Sequence, residues 1–300
     1  PVAIGGMPRE RMFGRGNAPV RGEFVLEVTP QAVLIDGEGE GPYYAVMELL
    51  EQLGCRWYMP GPLGTVIPER KTVEAAEGKT RQAPSFPSRW FQMPNREWQT
   101  RVRCGGGDVF RGAHGIAAPK VTVNRETGEL EPAEHAEYYA LVNGKRTRRQ
   151  HCVSNPKLIA HCIEHIKNIR KNGGGPVIGF GPNDGTGFCE CENCRALDAG
   201  DFDPFSNETS VTDRYIWFYN QVLEGVLPEY PDTKLAFYIY HTYMRPPLRE
   251  KPNPAIQGAL APIALDRVHG FSNPIAPEKS YVRWLFEAWG KLLPELYDRG

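Results

Sequence analysis

Apolar and polar positions alternate in blocks along the chain and predict strands and helices in turn. Residues 23–28 alternate with a period of two and residues 32–37 form an apolar run, so both predict strands. In residues 41–53 the apolar side chains at 46, 49, 50 and 53 have the spacing of one helical face. Gly54 then ends the predicted helix. Two strands and a helix predict a small α+β domain over residues 1–83.

A Pro-rich segment, residues 83–87, separates this domain from a longer stretch in which strand-like and helix-like tracts alternate. The expected strands are residues 88–93, 108–115, 150–153, 176–180, 234–241 and 259–270, and the expected helices are 134–141, 155–171, 212–226 and 279–293. This alternation predicts parallel βα units. Because a closed (β/α)8 barrel typically takes about 250 residues, we expect a (β/α)8-type (TIM) barrel over residues 84–300 whose last strands follow residue 300. The chain is therefore expected to be part of a longer protein.

Composition excludes several classes of protein. Apolar residues make up 41% of the 300 residues, which is enough for a packed core and argues against global disorder. The net charge of −1 offers no field for a nucleic-acid backbone, so no nucleic-acid partner is expected. No apolar run reaches the roughly 20 residues that cross a bilayer, so no membrane span is expected either.

The most informative stretch is residues 179–197, GFGPNDGTGFCECENCRAL. An apolar run between glycines predicts a buried strand that delivers Asn183 and Asp184 onto a Gly-rich loop. In parallel α/β proteins the chemistry lies at the carboxyl ends of strands. An amide beside a carboxylate at such an end could hold and protonate a polar substrate. The alternative interpretation is that Asn-Asp-Gly is only favourable turn chemistry.

Polar side chains also follow other predicted strands, and we expect them to contribute to substrate binding: His114, Asn155, Tyr240, His241 and Asp266. A histidine at a strand end can hydrogen-bond a sugar hydroxyl or move a proton, or it can simply donate to a neighbouring carbonyl. The pattern Asn-Pro at 155 is also typical of a helix N-cap. The chain contains no G-x-S-x-G elbow and no Walker A loop, which disfavours a serine hydrolase and a P-loop nucleotide site.

Seven cysteines are too sparse, and odd in number, for a disulfide scaffold. Cys189, Cys191 and Cys194 have the spacing C-x-C-x-x-C and could supply three thiolates to a zinc ion. The fourth ligand would be Cys152, Cys162 or a histidine. Such a zinc site would be structural and would make the Asn-Asp loop rigid, so no catalytic cofactor is required. A local disulfide and three unrelated thiols remain alternatives.

Two parts of the sequence resemble known families. Residues 41–61, GPYYAVMELLEQLGCRWYMPG, resemble the small domain that precedes the barrel in α-glucuronidases and β-hexosaminidases. Residues 134–146, 152–156, 182–185 and 187–191 resemble a bacterial family long labelled as a domain of unknown function. The characterised members of that family are endo-β-N-acetylglucosaminidases acting on complex N-glycans, glycoside hydrolase family 163.

The resemblance implies a barrel glycosidase that acts on a carbohydrate and is secreted or periplasmic. In the related hexosaminidases an Asp-Glu pair ends the fourth strand, where one residue polarises the acetamido group and the other is the general acid. Here Asn183 and Asp184 end the fourth predicted strand, so the resemblance implies that Asn183 holds the acetamido group and Asp184 protonates the glycosidic oxygen. A second carboxylate is expected at Asp266 or beyond residue 300. The alternative is a non-catalytic, carbohydrate-binding barrel.

Overall fold

The computed structural model describes residues 2–4, 13, 18–90, 95–106, 110–263, 266, 268–269 and 273–298. The chain divides into two compact units, residues 1–109 and 110–300. Parts of three predicted strands, at residues 91–93, at 108–109 and near 270, lie outside the described residues. Among the helices of the described residues, none combines the length and the apolar character needed to cross a membrane.

The first unit contains a four-stranded sheet covered by one helix. Its elements in chain order are β1 (Val2–Ile4), β2 (Phe24–Val28), β3 (Val33–Gly37), α1 (Gly41–Gln52), β4 (Arg56–Trp57), a 3-10 turn (Pro62–Gly64), β5 (Thr65–Val66), β6 (Gly78–Gln82), β7 (Ser88–Arg89), α2 (Arg96–Arg101) and β8 (Gly105–Gly106). The sheet order is β1-β3-β2-β6, and β4–β5 and β7–β8 are separate antiparallel pairs. The two strands and the helix predicted for this part are confirmed as β2, β3 and α1.

The first unit extends past the predicted boundary near residue 83. Tyr44 of α1 is buried and its hydroxyl donates to the carbonyl of Cys104 at 3.0 Å. The guanidinium of Arg103 donates to the carboxylates of Glu48 and Glu51 in α1, at 2.7 Å each. These bonds tie the segment that follows residue 83 to the helix of the first unit.

The second unit combines one parallel sheet with short antiparallel pairs. Its elements in chain order are β9 (Thr122–Val123), β10 (Leu130–Glu131), α3 (Ala133–Ala136), β11 (Tyr139–Val142), β12 (Lys145–His151), α4 (Pro156–Lys171), β13 (Val177–Gly179), α5 (Glu192–Ala196), β14 (Phe202–Asp203), β15 (Glu208–Thr209), α6 (Thr212–Val226), β16 (Lys234–Ile239), a 3-10 turn (His241–Tyr243), β17 (Ile256–Leu260), α7 (Pro277–Gly290) and β18 (Glu295–Asp298).

The parallel sheet has the order β13-β16-β17-β18, so each strand pairs with the member of this sheet that follows it in sequence. Every residue of β17 is buried, as expected for a parallel strand that is covered on both faces. The core beside the sheet is rich in aromatic side chains from α6 and α7. Tyr219 contacts Phe180 and Phe237, and Phe237 contacts Trp289, with ring centroids 5.3 to 6.0 Å apart.

The segment before α4 differs from the prediction. A helix over residues 134–141 is wrong beyond α3, which ends at Ala136, because residues 139–151 form the antiparallel hairpin β11–β12. Asn143 and Gly144 make the turn with φ of 49° and 74°, the backbone conformation that Asn-Gly favours in hairpins. The strand predicted at 150–153 is therefore the end of β12 and does not belong to the parallel sheet.

A buried carboxylate fastens the chain between β16 and β17 to helix α6. Asp213 is 2% exposed. Its Oδ1 accepts the backbone N–H groups of Arg249 and Glu250 at 2.8 and 2.7 Å, and its Oδ2 accepts that of Leu248 at 3.0 Å. The charge is thus buried with three donors, which offsets the cost of removing it from water.

Replacing Asp213 by Ala should lower the free energy of unfolding by about 2 to 3 kcal/mol, because three amides lose their acceptor. Asp213→Asn should cost less, since its remaining oxygen can keep the bonds to Arg249 and Glu250. The control is Asp232→Ala, which removes a carboxylate that is 63% exposed and pairs with Arg170, and it should cost less than about 1 kcal/mol. Denaturant unfolding measures all three variants, and equal losses for the two Ala variants would contradict the assignment.

Candidate functional site

The loop that follows β13 is held by one buried glutamine. Gln150 is 0% exposed and lies near the end of β12. Its Nε2 donates to the carbonyls of Asn183 and Gly185 at 2.7 and 3.1 Å, and its Oε1 accepts the N–H of Asn183 at 3.1 Å. One side-chain amide therefore replaces the sheet hydrogen bonds that the loop backbone no longer makes.

The side chain of Asn183 is oriented by its surroundings. Its Nδ2 donates to the carbonyl of Arg149 at 2.6 Å. Its Oδ1 faces Gly115, where an added Cβ would come within 3.2 Å of that oxygen and where φ is +96°. Gly115 also exchanges backbone hydrogen bonds with Pro182 and Gly181 at 3.1 and 3.3 Å. The nitrogen of Asn183 is thus engaged, and glycine at 115 leaves room beside the oxygen.

Three of the residues predicted for the site meet at the carboxyl ends of β13 and β16. Asp184 is exposed, and its carboxylate hydrogen-bonds the hydroxyl of Tyr240, the residue after β16. Burial raises the pKa of Tyr240, and the charge and hydrogen bond of Asp184 raise it further. The ring of His114 lies 5.0 Å from Tyr238 and 6.0 Å from Tyr240 between centroids. An acid, a phenol and an imidazole therefore share one end of the sheet.

The other predicted residues have different surroundings. His241 adjoins this group, with its ring 6.0 Å from Tyr240 and a buried Nδ1 that has no hydrogen-bond partner in the described part of the chain. Asn155 caps helix α4, because its Oδ1 accepts the N–H of Lys157 at 2.9 Å. Asp266 pairs with the side chain of His269, whose hydrogen bond is the main reason that the pKa of Asp266 falls to about 2. The Nδ2 of Asn155 also donates to the carbonyl of Glu137 at 3.0 Å. The side chains of Asn155 and Asp266 are therefore occupied by protein partners.

Four cysteines converge behind the Asn-Asp loop. The Sγ atoms of Cys152, Cys189, Cys191 and Cys194 all lie within 4.8 Å of one another. Cys152 Sγ is 3.7 Å from that of Cys191 and 3.9 Å from that of Cys194. All four are free thiols, and the observed separations are far above the roughly 2.05 Å of a disulfide. This cluster could hold a metal ion, and Cys152 is the fourth member among the predicted candidates.

The surroundings of the cysteines favour negative charge on one sulfur, that of Cys189, whereas hydrogen bonding among the thiols raises the pKa of Cys152 and of Cys194. Hydrogen bonds from Cys152 and Cys194 and from the backbone N–H of Leu141 hold the pKa of Cys189 well below its usual range. The buried guanidinium of Arg214 donates to the carbonyl of Cys189 at 2.7 Å and pairs with Asp198. A cation thus lies next to the cluster, where it favours the thiolate form of Cys189.

Asn183 also lies in the wall of a cleft of about 340 Å³. Its polar lining consists of Lys120, Thr122, Tyr139, Arg148, His151 and Asn183. Burial lowers the pKa of His151 to about 4, so this imidazole is neutral at pH 7. The sequence analysis did not single out this cleft or Gln150. The only local signal was the basic run at residues 145–151, KRTRRQH.

The comparison with protein families decides the classification. The DUF4838 family, a domain of unknown function, matches residues 59–297. The chain belongs to the DUF4838 family. No curated protein matches the chain.

Membership in DUF4838 confirms the coarser part of the sequence-based resemblance, which pointed to a family of unknown function. It does not assign an activity, and the relation to glycoside hydrolase family 163 stays a prediction. The DUF4838 match begins at residue 59 and so includes most of the second unit and part of the first.

Replacing Gln150 by Leu should release the loop at Asn183, because the loop loses one acceptor and two donor contacts. We expect the free energy of unfolding to fall by about 2 to 3 kcal/mol and the amide hydrogen of Asn183 to exchange faster with solvent. The matched control is Gln221→Leu on helix α6, whose Nε2 donates only to Glu224 and which should leave that exchange rate unchanged. Hydrogen exchange followed by mass spectrometry or NMR measures both, and unaltered exchange at Asn183 in Gln150→Leu would refute the anchoring role.

Proposed function

We propose that this DUF4838 protein is a glycoside hydrolase acting on N-acetylglucosamine-containing glycans, with Asp184 as the general acid. The observation that carries the proposal is the exposed Asp184 carboxylate at the carboxyl end of β13, beside Tyr240 and His114. Carboxyl ends of parallel strands are where α/β enzymes place their reactive side chains.

The chemistry assigns one task to each neighbouring group. Asp184 gives its proton to the glycosidic oxygen as the bond to the leaving group breaks. Asn183 accepts the N–H of the acetamido group with Oδ1, because its Nδ2 is already bound to the carbonyl of Arg149. Tyr240 orients the carboxyl of Asp184 and offers a ring face to the sugar. In glycosidases assisted by the substrate, the acetamido carbonyl replaces the second enzyme carboxylate.

We also propose that the second unit is a (β/α)8-type barrel. The parallel strands β13, β16, β17 and β18 follow one another in sheet order as they do in sequence. Helix α6 lies between β13 and β16 in the chain, and α7 lies between β17 and β18. This sequential order supports a barrel, in which each strand pairs with its successor.

The enzymatic proposal is tested by Asp184→Asn in the full-length protein, with a complex N-glycan and a chromogenic β-N-acetylglucosaminide as substrates. We expect kcat to fall by about 10²- to 10⁴-fold, the usual contribution of a general acid. The fall should be smaller for the chromogenic substrate, whose leaving group needs less protonation. The control is Asp232→Asn, an exposed carboxylate on the same unit, which should keep the activity of the unaltered protein.

Equal turnover by Asp184→Asn and the unaltered protein would remove Asp184 from the mechanism. Retained glycan binding without turnover in the unaltered protein would instead favour a non-catalytic carbohydrate-binding barrel. Binding is measured by calorimetry with the same N-glycan.

We propose further that the four cysteines hold a structural zinc ion. Zinc bound tetrahedrally to four thiolates at about 2.3 Å places neighbouring sulfurs about 3.8 Å apart. The 3.7 and 3.9 Å separations from Cys152 agree with that geometry. Four thiolate ligands close the coordination shell, so the ion would stabilise the fold and take no part in the reaction.

Purified protein should contain one zinc ion per chain by elemental mass spectrometry. Cys152→Ser and Cys194→Ser should lose it and should unfold at a lower temperature, because metal binding energy is folding energy. Cys55→Ser, a thiol of the first unit, is the control and should retain the metal. Cobalt substitution gives a second readout, since thiolate-to-cobalt charge transfer appears only with intact sulfur ligands. Unchanged zinc content in Cys152→Ser would refute the site.

A further inference from the structure

The cleft beside Asn183 has the size of a small-molecule site. Its volume of about 340 Å³ lies at the lower end of the range typical of ligand pockets, about 300 to 1,000 Å³. Its walls come from the segment around β9, from β11 and β12, and from the loop after β13. Three apolar side chains complete the lining: Ile116, Ala118 and Val121.

The charges in this cleft have one sign. Lys120 and Arg148 line it, and none of the described lining residues carries a carboxylate. Neither cation forms an ion pair with another residue in the described part of the chain. The positive charge of Arg148 acts on the phenol of Tyr139, which also lines the cleft. Burial raises the pKa of Tyr139, and this charge lowers it. An arginine in such a position can bind an oxyanion with two parallel N–H groups.

A buried imidazole in the same cleft lacks a partner. His151 lines the cleft and is 5% exposed, and its buried Nδ1 has no hydrogen-bond partner among the described residues. Buried polar groups are normally satisfied, so an imidazole that the protein leaves unpaired beside a cleft is available to a ligand. Tyr139 packs against the imidazole at 5.2 Å between ring centroids, and its own hydroxyl is used by the carbonyl of Pro119 at 2.7 Å. The ring of His151 is therefore held in place and can pair with a hydroxyl.

An irregularity in the hairpin brings Arg148 and His151 to one cleft. Tyr139 pairs with His151, but the next residue, Ala140, pairs with Thr147. Residues 148–150 have no strand partner and bulge out of the ladder. Bulges of this kind redirect side chains and are frequent beside functional sites. The bulge also presents Gln150 to the loop that carries Asn183.

We propose that this cleft binds a small hydroxylated molecule through an anionic oxyacid group, a carboxylate or a phosphate. Arg148 and Lys120 bind the oxyanion, and His151 pairs with a hydroxyl of the same molecule. The site stands apart from the catalytic role of Asp184, because that residue does not line the cleft.

Calorimetric titration tests the site with three probes of similar size: D-glucuronate, D-glucose 6-phosphate and D-glucose. Binding of glucuronate or of glucose 6-phosphate, with glucose at least about tenfold weaker, is expected. The first result identifies a carboxylate and the second a phosphate. Arg148→Gln should weaken binding of the anionic probe about tenfold or more. His151→Phe should also weaken its binding but should leave the preference for anionic probes over glucose.

The matched control is Lys145→Gln, which removes one positive charge from the start of the same strand without touching the cleft. It should leave probe affinity unchanged. Equal affinity for all three probes, no binding of either anion, or the same loss in Lys145→Gln as in Arg148→Gln would each overturn the proposal. Circular dichroism checks that each variant is folded. Asp184→Asn should bind the probes as tightly as the unaltered protein does, so the binding result does not depend on the outcome of the glycosidase test.

Discussion

The hydrogen bonds between the Gln150 side chain and the loop after β13 are the constraint on which the candidate site depends. A strand of three residues, β13, ends at Gly179. The backbone as far as Pro182 still bonds to β16 and to Gly115, but among the described residues no strand pairs with the backbone of Asn183. Gln150 supplies two donors and one acceptor to that backbone from inside the protein. Asn183 is thereby fixed between two regions of different chemistry: the acid at 184 and the cationic cleft.

A second tether joins the same two segments by another kind of chemistry. Cys152 follows the strand that carries Gln150, and Cys189, Cys191 and Cys194 follow the loop that Gln150 holds. Polar hydrogen bonds on one side and clustered sulfurs on the other leave the loop few alternative conformations. Because catalytic groups must be held within a fraction of an ångström, a doubly tethered loop is a suitable carrier for Asp184 and Asn183.

Local patterns predicted several helices and strands, but they misplaced others and could not predict the partners. The strand expected at 259–270 is β17, Ile256–Leu260, and the described residues 110–115 of the strand expected at 108–115 form no strand. Helices α4 and α6 follow from apolar spacing and, for α4, from Asn155 as the cap, and the structure has them within one residue of the prediction. The tract at 139–142 carries no helical or strand period, and only the Asn-Gly turn after it indicates the hairpin. The hairpin was therefore not predicted. Gln150 and Cys152 act on residues more than 30 positions away. A single glutamine has no local signature for such a contact, and the fourth cysteine remained one of several candidates.

The surroundings of the acidic side chains distinguish Asp184 from the others near it in sequence. Asp198 and Asp201 pair with Arg214 and Arg245, and Asp213 accepts three amides. Those cations and amide donors occupy the carboxylate oxygens. Asp184 is the exposed one of the four and lies beside Tyr240 at a strand end. Among these four carboxyl groups it is the one placed to approach a ligand, and this contrast supports its proposed role better than the Asn-Asp pattern alone.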